Sequence, residues 1–513
     1  MSPNLAIKNY DWIRFHARHR PDAIAFRSAE TGVSLTYKQT NSRIDAIASR
    51  LSAKNSVGQG DRVLHLSRPT IEAFEVQFAC ARLGAIFAPL NWRLSIAELH
   101  DIALDAAPTV IFYQAEFQAA AKAIGERTGC HLIEFQGKRG NGSYEYIVEE
   151  KTQLPLPKID VDWESTWILL YTSGTTGRAK GVMLSYRMMY FNALNFIATS
   201  EISTDTVFLC SMPIFHTGGL NCYSNPVLYC GGTVVTMGEF NAERAIDIMV
   251  DPSLKISHFF GVPSMFLMMS ELGSFARAKF AALKVAGLGG APATESLVDQ
   301  WLLKGVPLQP GYGMTEIGPA VAIGNIDRVR EKIRSVGQPV MNMDIRIADI
   351  NNCEVKAGEI GEIQVKGPVL MSGYWNRPEQ TANAFVDGWF RTGDAGRLDE
   401  EGFLYIVDRY KDMYISGGEN VYPTEVENAI AKHPAVLRSA VIGVTDPKWG
   451  EIGTAFVVLR CDERLTENEL KAHLKALLAN FKLPKSYIFV NDLPQTASGK
   501  VKKQELHAML PRD

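Results

Sequence analysis

The rhythm of apolar and polar positions divides this chain into segments. Residues 166–171 (TWILLY) are an almost unbroken apolar run of strand length, which predicts a strand buried on both faces. A helix is expected from about Ser185 to Thr199. Up to about Pro292, β-rich runs alternate with helical stretches. Thr206–Cys210, Thr233–Met237, Ile256–Phe260 and Val285–Leu288 read as strands, Asn241–Val250 and Ser264–Leu272 as helices. That alternation predicts a layered α/β sheet. Between 335 and 375 the pattern becomes short strands and glycine turns, as in a small β-barrel-like subdomain. After Asp408–Asp412 it changes again. VENAIAKHPAV reads as a helix, SAVIGV and GTAFVVL as strands, and ENELKAHLKALLANF as an amphipathic helix, so a domain boundary is placed near Lys411.

With 513 residues the chain is too long for one core, and two or more domains are expected. A net charge of −3 gives no bulk attraction for nucleic acid or an anionic membrane, so any polyanionic ligand must be held locally. Seven cysteines without a Cys-x-x-Cys argue against a disulfide framework or zinc ribbon and fit a reducing, cytoplasmic setting. Lys8, Asp11 and Arg14 sit in a helical-looking start, so no secretory signal is read there. The most apolar run, Phe259 to Met269, is short and broken by Pro263, a core segment rather than an integral membrane span.

The strongest local signal follows the TWILLY strand. Residues 172–181 read TSGTTGRAKG. Thr172, Ser173, Thr175 and Thr176 bring hydroxyls, Gly174 and Gly177 permit tight turning, and Arg178 and Lys180 bring positive charge. Backbone N–H groups, hydroxyls and cations together can wrap a polyphosphate. The loop sits at a strand end, where open α/β sheets bind ligands. It is not a Walker A loop, because Gly181 follows Lys180 where that motif needs Ser or Thr. A magnesium ligand must therefore come from elsewhere.

Four further segments carry candidate chemistry. Gly311, Tyr312, Gly313, Met314, Thr315 and Glu316 combine an aromatic that can stack on a base with a carboxylate that can hold magnesium; alone, a plain turn explains them equally well. Asp394, in RTGD, can accept ribose hydroxyls or make an Asx turn. Asp408–Asp412 with Ser416–Asn420 reads as a hinge or a solvated linker. Lys500, in QTASGK, is a lysine on a Gly-bearing loop, and most such lysines are merely solvated.

In this order and spacing these segments resemble the adenylate-forming superfamily: acyl-CoA synthetases, aryl-CoA ligases, peptide-synthetase adenylation domains and beetle luciferases. The likeness runs from RPDAIAF to Lys500, and SGGENVYP and FKLPK look like the CoA ligases of fatty and aromatic acids. It implies a large N-terminal domain (1–410) of layered α/β sheets and a small mobile α+β C-terminal domain (411–513). The implied cofactors are ATP, Mg2+ and coenzyme A, with a small carboxylic acid as substrate and a homodimer left open.

The resemblance also implies roles. The loop from Thr172 to Lys180 cradles the β- and γ-phosphates. Gly290, Ala291, Pro292 and Tyr312 flank adenine, Thr315 touches the α-phosphate, and Glu316 binds magnesium. Asp394 and Arg409 hold the ribose, Lys411 is the hinge, and Lys500 stabilises adenylation. His216 lines the acyl pocket near the reacting carboxylate, a core histidine being the plainer reading of that residue. Gly418 and Asn420 serve the pantetheine channel, and Trp449 and Phe481 the CoA nucleotide. Ala179 departs from the proline common in this loop. Gly218, Gly219, Gly287 and Gly289 suggest room for a flat or long acyl group. A medium- or long-chain fatty acid is expected first, with hydroxycinnamates such as ferulate or other aryl acids as the alternative. A stand-alone peptide-synthetase-type adenylating enzyme, a luciferase-like oxygenase and a non-catalytic nucleotide binder are the competing classes.

Overall fold

The computed structural model describes residues 11–136, 143–149, 156, 159–172, 179–291, 293–409, 412–416, 419–446, 449–461, 463–495 and 501–510. The chain forms two compact units, one of residues 1–345 with 365–390, the other of 346–364 with 391–513. The second unit takes in the expected C-terminal domain and also part of the segment before it.

The first unit is α/β and contains two large sheets. In one, Leu308–Tyr312, Val285–Leu288, His258–Gly261, Val207–Cys210, Thr233–Thr236 and Ile24–Ser28 run parallel in that spatial order, with short antiparallel strands at both edges. Four of these strands match the β-rich runs of the sequence, Leu308–Tyr312 and Ile24–Ser28 being additional, and helices such as Ala242–Val250 and Pro263–Ser270 lie between them. The Phe259–Met269 run is thus divided between a strand and a helix that starts at the proline, where a missing N–H costs nothing. No helix among the described residues is long and apolar enough to cross a membrane.

The other sheet has the order Gly373–Tyr374, Lys180–Ser185, Thr166–Thr172, Ile86–Pro89, Arg62–Leu66, Val110–Gln114, His131–Phe135. Trp167, Ile168, Leu169 and Leu170 are all buried, as an interior strand requires. The Trp167 ring stacks on Tyr186 at 5.1 Å and meets Trp12 edge-on at 5.4 Å, while its N–H donates to the Gln77 carbonyl. The helix Tyr186–Thr199 appears where expected, but a second strand, Lys180–Ser185, intervenes.

The barrel-like segment 335–375 does not stay together. Gln338–Pro339 and Gly373–Tyr374 join the two large sheets as edges, whereas Asp344–Ala348 and Gly361–Lys366 pair in a third sheet with Trp389–Leu398, against which Leu404–Arg409 packs. Short strands with glycine turns carry no record of their pairing partners, which non-local packing decides.

In the second unit, Val436–Asp446 and Gly450–Leu459 form a long antiparallel pair extended by Tyr414–Ser416, Glu419–Val421 and Ser486–Phe489. One face packs Val426, Ile430, Leu470 and Leu474, the other Ile442, Phe456 and Leu506. The amphipathic helix is shorter than its sequence pattern. It starts at a Thr466–Glu469 capping box and ends at Lys475.

Two buried histidines make stability depend on pH. His65 lies among Phe87, Phe112 and Phe135, and burial pushes its pKa down to about 3. His258 meets the Ser200 carbonyl at 2.7 Å, but burial outweighs that bond and lowers it to about 4. Both values lie below the unfolded value of about 6.5, so between these limits the unfolded chain binds more protons. Stability is full above pH ~6.5 and falls as the pH drops toward 4. Over that range each histidine, charged when unfolded and neutral when folded, removes about 1.4 kcal/mol for every further pH unit of acidification. Thermal unfolding between pH 7 and 4 checks this, and a flat profile counts against it.

Candidate active site

The candidate polyphosphate segment is flanked by two paired strands. Thr166–Thr172 and Lys180–Ser185 pair antiparallel, with Thr172 opposite Lys180 and Tyr171 opposite Gly181. Thr172 and Lys180 therefore flank the loop mouth. Ser173, Gly174, Thr175, Thr176, Gly177 and Arg178 lie outside the described residues. Gly181 packs closely, since a Cβ there would lie 2.8 Å from Leu169 Cδ1 and 3.2 Å from the Trp375 Cβ, so a larger residue would make Leu169 shift.

A second strand brings a residue that the sequence did not single out. Gly373–Tyr374 pairs antiparallel with Lys180–Ser185, setting Tyr374 opposite Val182. The Tyr374 hydroxyl donates to Glu316 Oε1 at 3.0 Å, and Lys180 Nζ lies 5.3 Å from the centre of its ring. Burial, then the Glu316 charge and the bond to it, hold the phenol above its ordinary pKa, so it remains a donor. The phosphate-loop lysine and the candidate magnesium carboxylate thus meet across one tyrosine. No sequence motif signalled Tyr374; only the strand pairing does.

Glu316 itself belongs to a short 3-10 turn, Thr315–Ile317, whose Glu316 carbonyl accepts the Met371 N–H at 2.9 Å. Just before it, Gly311 and Tyr312 end a parallel strand and Tyr312 is buried. Gly313 packs so closely on Pro319 that a Cβ would lie 1.7 Å from the carbonyl oxygen, so no other residue fits. Met314 is extended and leads into the turn. Gly289, Gly290 and Ala291 follow the neighbouring strand Val285–Leu288, and a Gly289 Cβ would lie 3.5 Å from the Gly311 carbonyl. The two glycine-bearing strand ends are therefore side by side, Gly290 with φ +83°. Pro292 lies outside the described residues.

Magnesium binds through one or two carboxylates completed by substrate phosphates rather than in an all-protein cage. Glu316 beside Lys180 fits that pattern. No cluster of three or more His, Cys, Asp or Glu able to hold a metal occurs among the described residues.

Around His216 the backbone turns into a π-helical segment, Gly218–Cys222, after the Pro213–His216 turn. His216 is half-buried, its ring 4.6 Å from that of Phe215. The four glycines expected to make acyl space are largely filled. A Cβ at Gly219 would lie 2.3 Å from the Pro213 carbonyl oxygen, so that glycine permits the close turn. One at Gly287 would lie 2.6 Å from the Tyr223 hydroxyl and 3.0 Å from Phe260. The Phe260 ring also stands 3.1 Å from a Gly218 Cβ and 3.3 Å from a Gly289 Cβ. Three of the glycines therefore surround one ring, and the expectation of open space is corrected to a floor occupied by Phe260 and buried Tyr223. Tyr223 is held by contacts to Gln309 Oε1 at 3.2 Å and Ser200 at 3.4 Å.

In the second unit, Asp394 is buried in strand Trp389–Leu398 and faces Arg409 across the antiparallel pair. The Thr392 hydroxyl receives the Asp394 N–H at 3.1 Å and donates to the Ile363 carbonyl at 2.7 Å, fixing the strand end. Asn420 pairs with Ile415 in the hairpin Tyr414–Ser416/Glu419–Val421. Trp449 and Phe481 are exposed aromatics, with Lys485 5.7 Å from the Trp449 ring and Lys482 5.6 Å from the Phe481 ring. Lys411, Gly418 and Lys500 lie outside the described residues.

Residues 13–375 match the AMP-binding enzyme family, and residues 425–500 match its C-terminal domain. The chain belongs to the AMP-binding enzyme family. A feruloyl-CoA synthase of an Amycolatopsis species is 37% identical over 96% of this chain and 97% of its own. An indoleacetate–CoA ligase of Aromatoleum aromaticum is 35% identical, covering 98% of both chains. A long-chain-fatty-acid–CoA ligase of Mycobacterium tuberculosis is 33% identical, again over 98% of both. The crystal structure of ATP-bound MatB from Rhodopseudomonas palustris superposes with a TM-score of 0.88 at 31% identity, covering 97% of this chain and 98% of that one. Like these CoA ligases, the chain is an AMP-forming acid–thiol ligase that uses ATP, Mg2+ and coenzyme A.

Proposed function

We propose that this ligase acts on a planar aromatic carboxylic acid of the arylpropenoate or arylacetate type. The observation that carries this reading is the Phe260 ring set among Gly218, Gly287 and Gly289. A half-buried ring at that position offers a face for an aryl group to stack on. The Tyr223 hydroxyl would stand 2.6 Å from a Cβ at Gly287, so the space on that side is filled, which favours a flat group over a long alkyl chain. This moves first place from the fatty acid favoured by the sequence to the aromatic alternative.

Two steps follow. The acid's carboxylate attacks the α-phosphorus of ATP, forming an acyl-adenylate as the bond to pyrophosphate breaks. The CoA thiol then attacks the acyl carbon, forming the thioester as AMP leaves. We assign the β- and γ-phosphates to the hairpin mouth at Thr172 and Lys180, with Thr315 at the α-phosphate. Glu316, oriented by Tyr374, would hold magnesium, which when bound neutralises phosphate charge. Gly290, Ala291 and Tyr312 would border adenine, and His216 the reacting carboxylate. Asp394 and Arg409 would hold the ribose, Lys500 the developing charge, and Asn420, Gly418, Trp449 and Phe481 the CoA. The thiol step needs no charge stabiliser at the α-phosphate, so a mobile domain from residue 411 onward, pivoting at Lys411, would separate the two demands. No disulfide links the seven cysteines, all among the described residues, which supports a cytoplasmic setting.

A panel of arylpropenoic, arylacetic and C8–C18 fatty acids, assayed for AMP and CoA-thioester release, tests the reading. Phe260→Ala should remove the stacking face and open the floor. The kcat/KM ratio of aromatic to long-chain acid should fall about tenfold or more, the size expected for a reshaped apolar pocket. A parent enzyme that prefers long-chain acids, or a variant with an unchanged ratio, refutes the assignment.

A further inference from the structure

Helix Ile96–Ala106 carries an acidic residue, Asp105, in its last turn and no basic side chain there. A carboxylate there opposes the helix dipole, so its own helix does not account for it. Its partners come from elsewhere. Asp105 Oδ2 accepts the Tyr171 hydroxyl at 2.9 Å, and Oδ1 pairs with the Arg377 guanidinium at 3.0 Å. Its backbone carbonyl accepts Trp375 Nε1 at 3.1 Å and Asn376 Nδ2 at 3.4 Å. The next carbonyls are capped by Arg62, which donates to Ala106 at 2.7 Å and Ala107 at 2.5 Å. The Arg62 guanidinium also lies 5.8 Å from the Trp375 ring centre.

These partners are not scattered. Tyr171 immediately precedes Thr172, and Trp375 immediately follows Tyr374, the residue bonded to Glu316. The Trp375 backbone N–H donates to the Gly181 carbonyl at 2.7 Å, one residue beyond Lys180. One helix end thus grips a strand of the hairpin, through Tyr171, and the strand end that carries Tyr374, the partner of Glu316. The Asp105 side chain is 17% exposed, so its bonds are only partly screened by solvent.

We propose that Asp105 is a positioning residue for adenylation, holding Thr172 and Lys180 in register with Tyr374 and Glu316. It touches neither ATP nor metal. The inference rests on the assignment of those four residues to phosphate and magnesium.

Asp105→Asn, Tyr171→Phe and the double variant test it. Adenylate formation from Mg-ATP and thioester formation from supplied acyl-adenylate are measured separately, with thermal unfolding alongside. Each single variant should raise the Mg-ATP KM of adenylation about tenfold, as lost positioning does, and leave the thioester step within about twofold. The double variant should be no worse than the more severe single one, because both remove the same link. Equal losses in both steps, or a lower unfolding temperature with an unchanged Mg-ATP KM, reduce Asp105 to a structural role and overturn the proposal. Failure of the parent itself to form an adenylate from any acid of the panel overturns the site assignment first, and this inference with it.

Discussion

Lys500→Ala abolishes adenylation while largely sparing thioester formation from supplied acyl-adenylate. Lys500 lies in the QTASGK segment and within the matched C-terminal domain. Attack of a carboxylate on a phosphate brings two anions together. A single cation at that point acts only while their charge is shared. Removing one such stabiliser costs about 3–4 kcal/mol, a roughly hundred- to thousandfold loss of rate. In the second step a thiol with a pKa of about 8.5 meets an already activated acyl group, and the same lysine has no charge to neutralise. Single-turnover assays of each step decide the matter. Equal loss in both would sink this role for Lys500.

Glu316→Gln lowers magnesium-dependent adenylation by about a hundredfold, in line with the loss of one electrostatic partner of the transition state. AMP binding should be nearly unchanged. The hairpin has no Ser or Thr after Lys180 to hold the metal, so the proposed metal role falls to the carboxylate. The amide keeps an oxygen to accept the Tyr374 hydroxyl, so the local fold survives and the loss reports on charge. Tyr374→Phe should give a smaller effect in the same direction, since it loosens the carboxylate without removing it. A magnesium titration of Glu316→Gln that overlays the parent's would remove Glu316 from the metal site.

Most helix and strand segments between 166 and 292 were legible because each is a local pattern, whereas the strand Lys180–Ser185 was not. TWILLY announces a buried strand, and apolar runs at regular spacing announce the others. The segment 335–375 was legible as strands but not as a unit. Its strands go to three sheets, and nothing in Gly-rich turns specifies a partner. The candidate site divides the same way. The polyphosphate loop, Gly311–Glu316 and Asp394 each carry their chemistry within a few residues, so a reader of the sequence finds them. The room beside Gly218, Gly219, Gly287 and Gly289 was overestimated because a glycine in a sequence says that a side chain is missing, not what fills the space. Phe260 fills it at three of four positions.

By itself, the sequence determined the family, the two-step chemistry it implies and the groups proposed to meet the nucleotide, because those groups are gathered in short contiguous motifs. Tertiary structure alone decided which residues hold these motifs in place. Tyr374 reaches Glu316 across 58 positions and Asp105 reaches Tyr171 across 66. Such pairs are made by strands that become neighbours only when the sheet assembles. Their side chains are ordinary tyrosine and aspartate until packing brings them within hydrogen-bond distance and withdraws the water that would otherwise satisfy them.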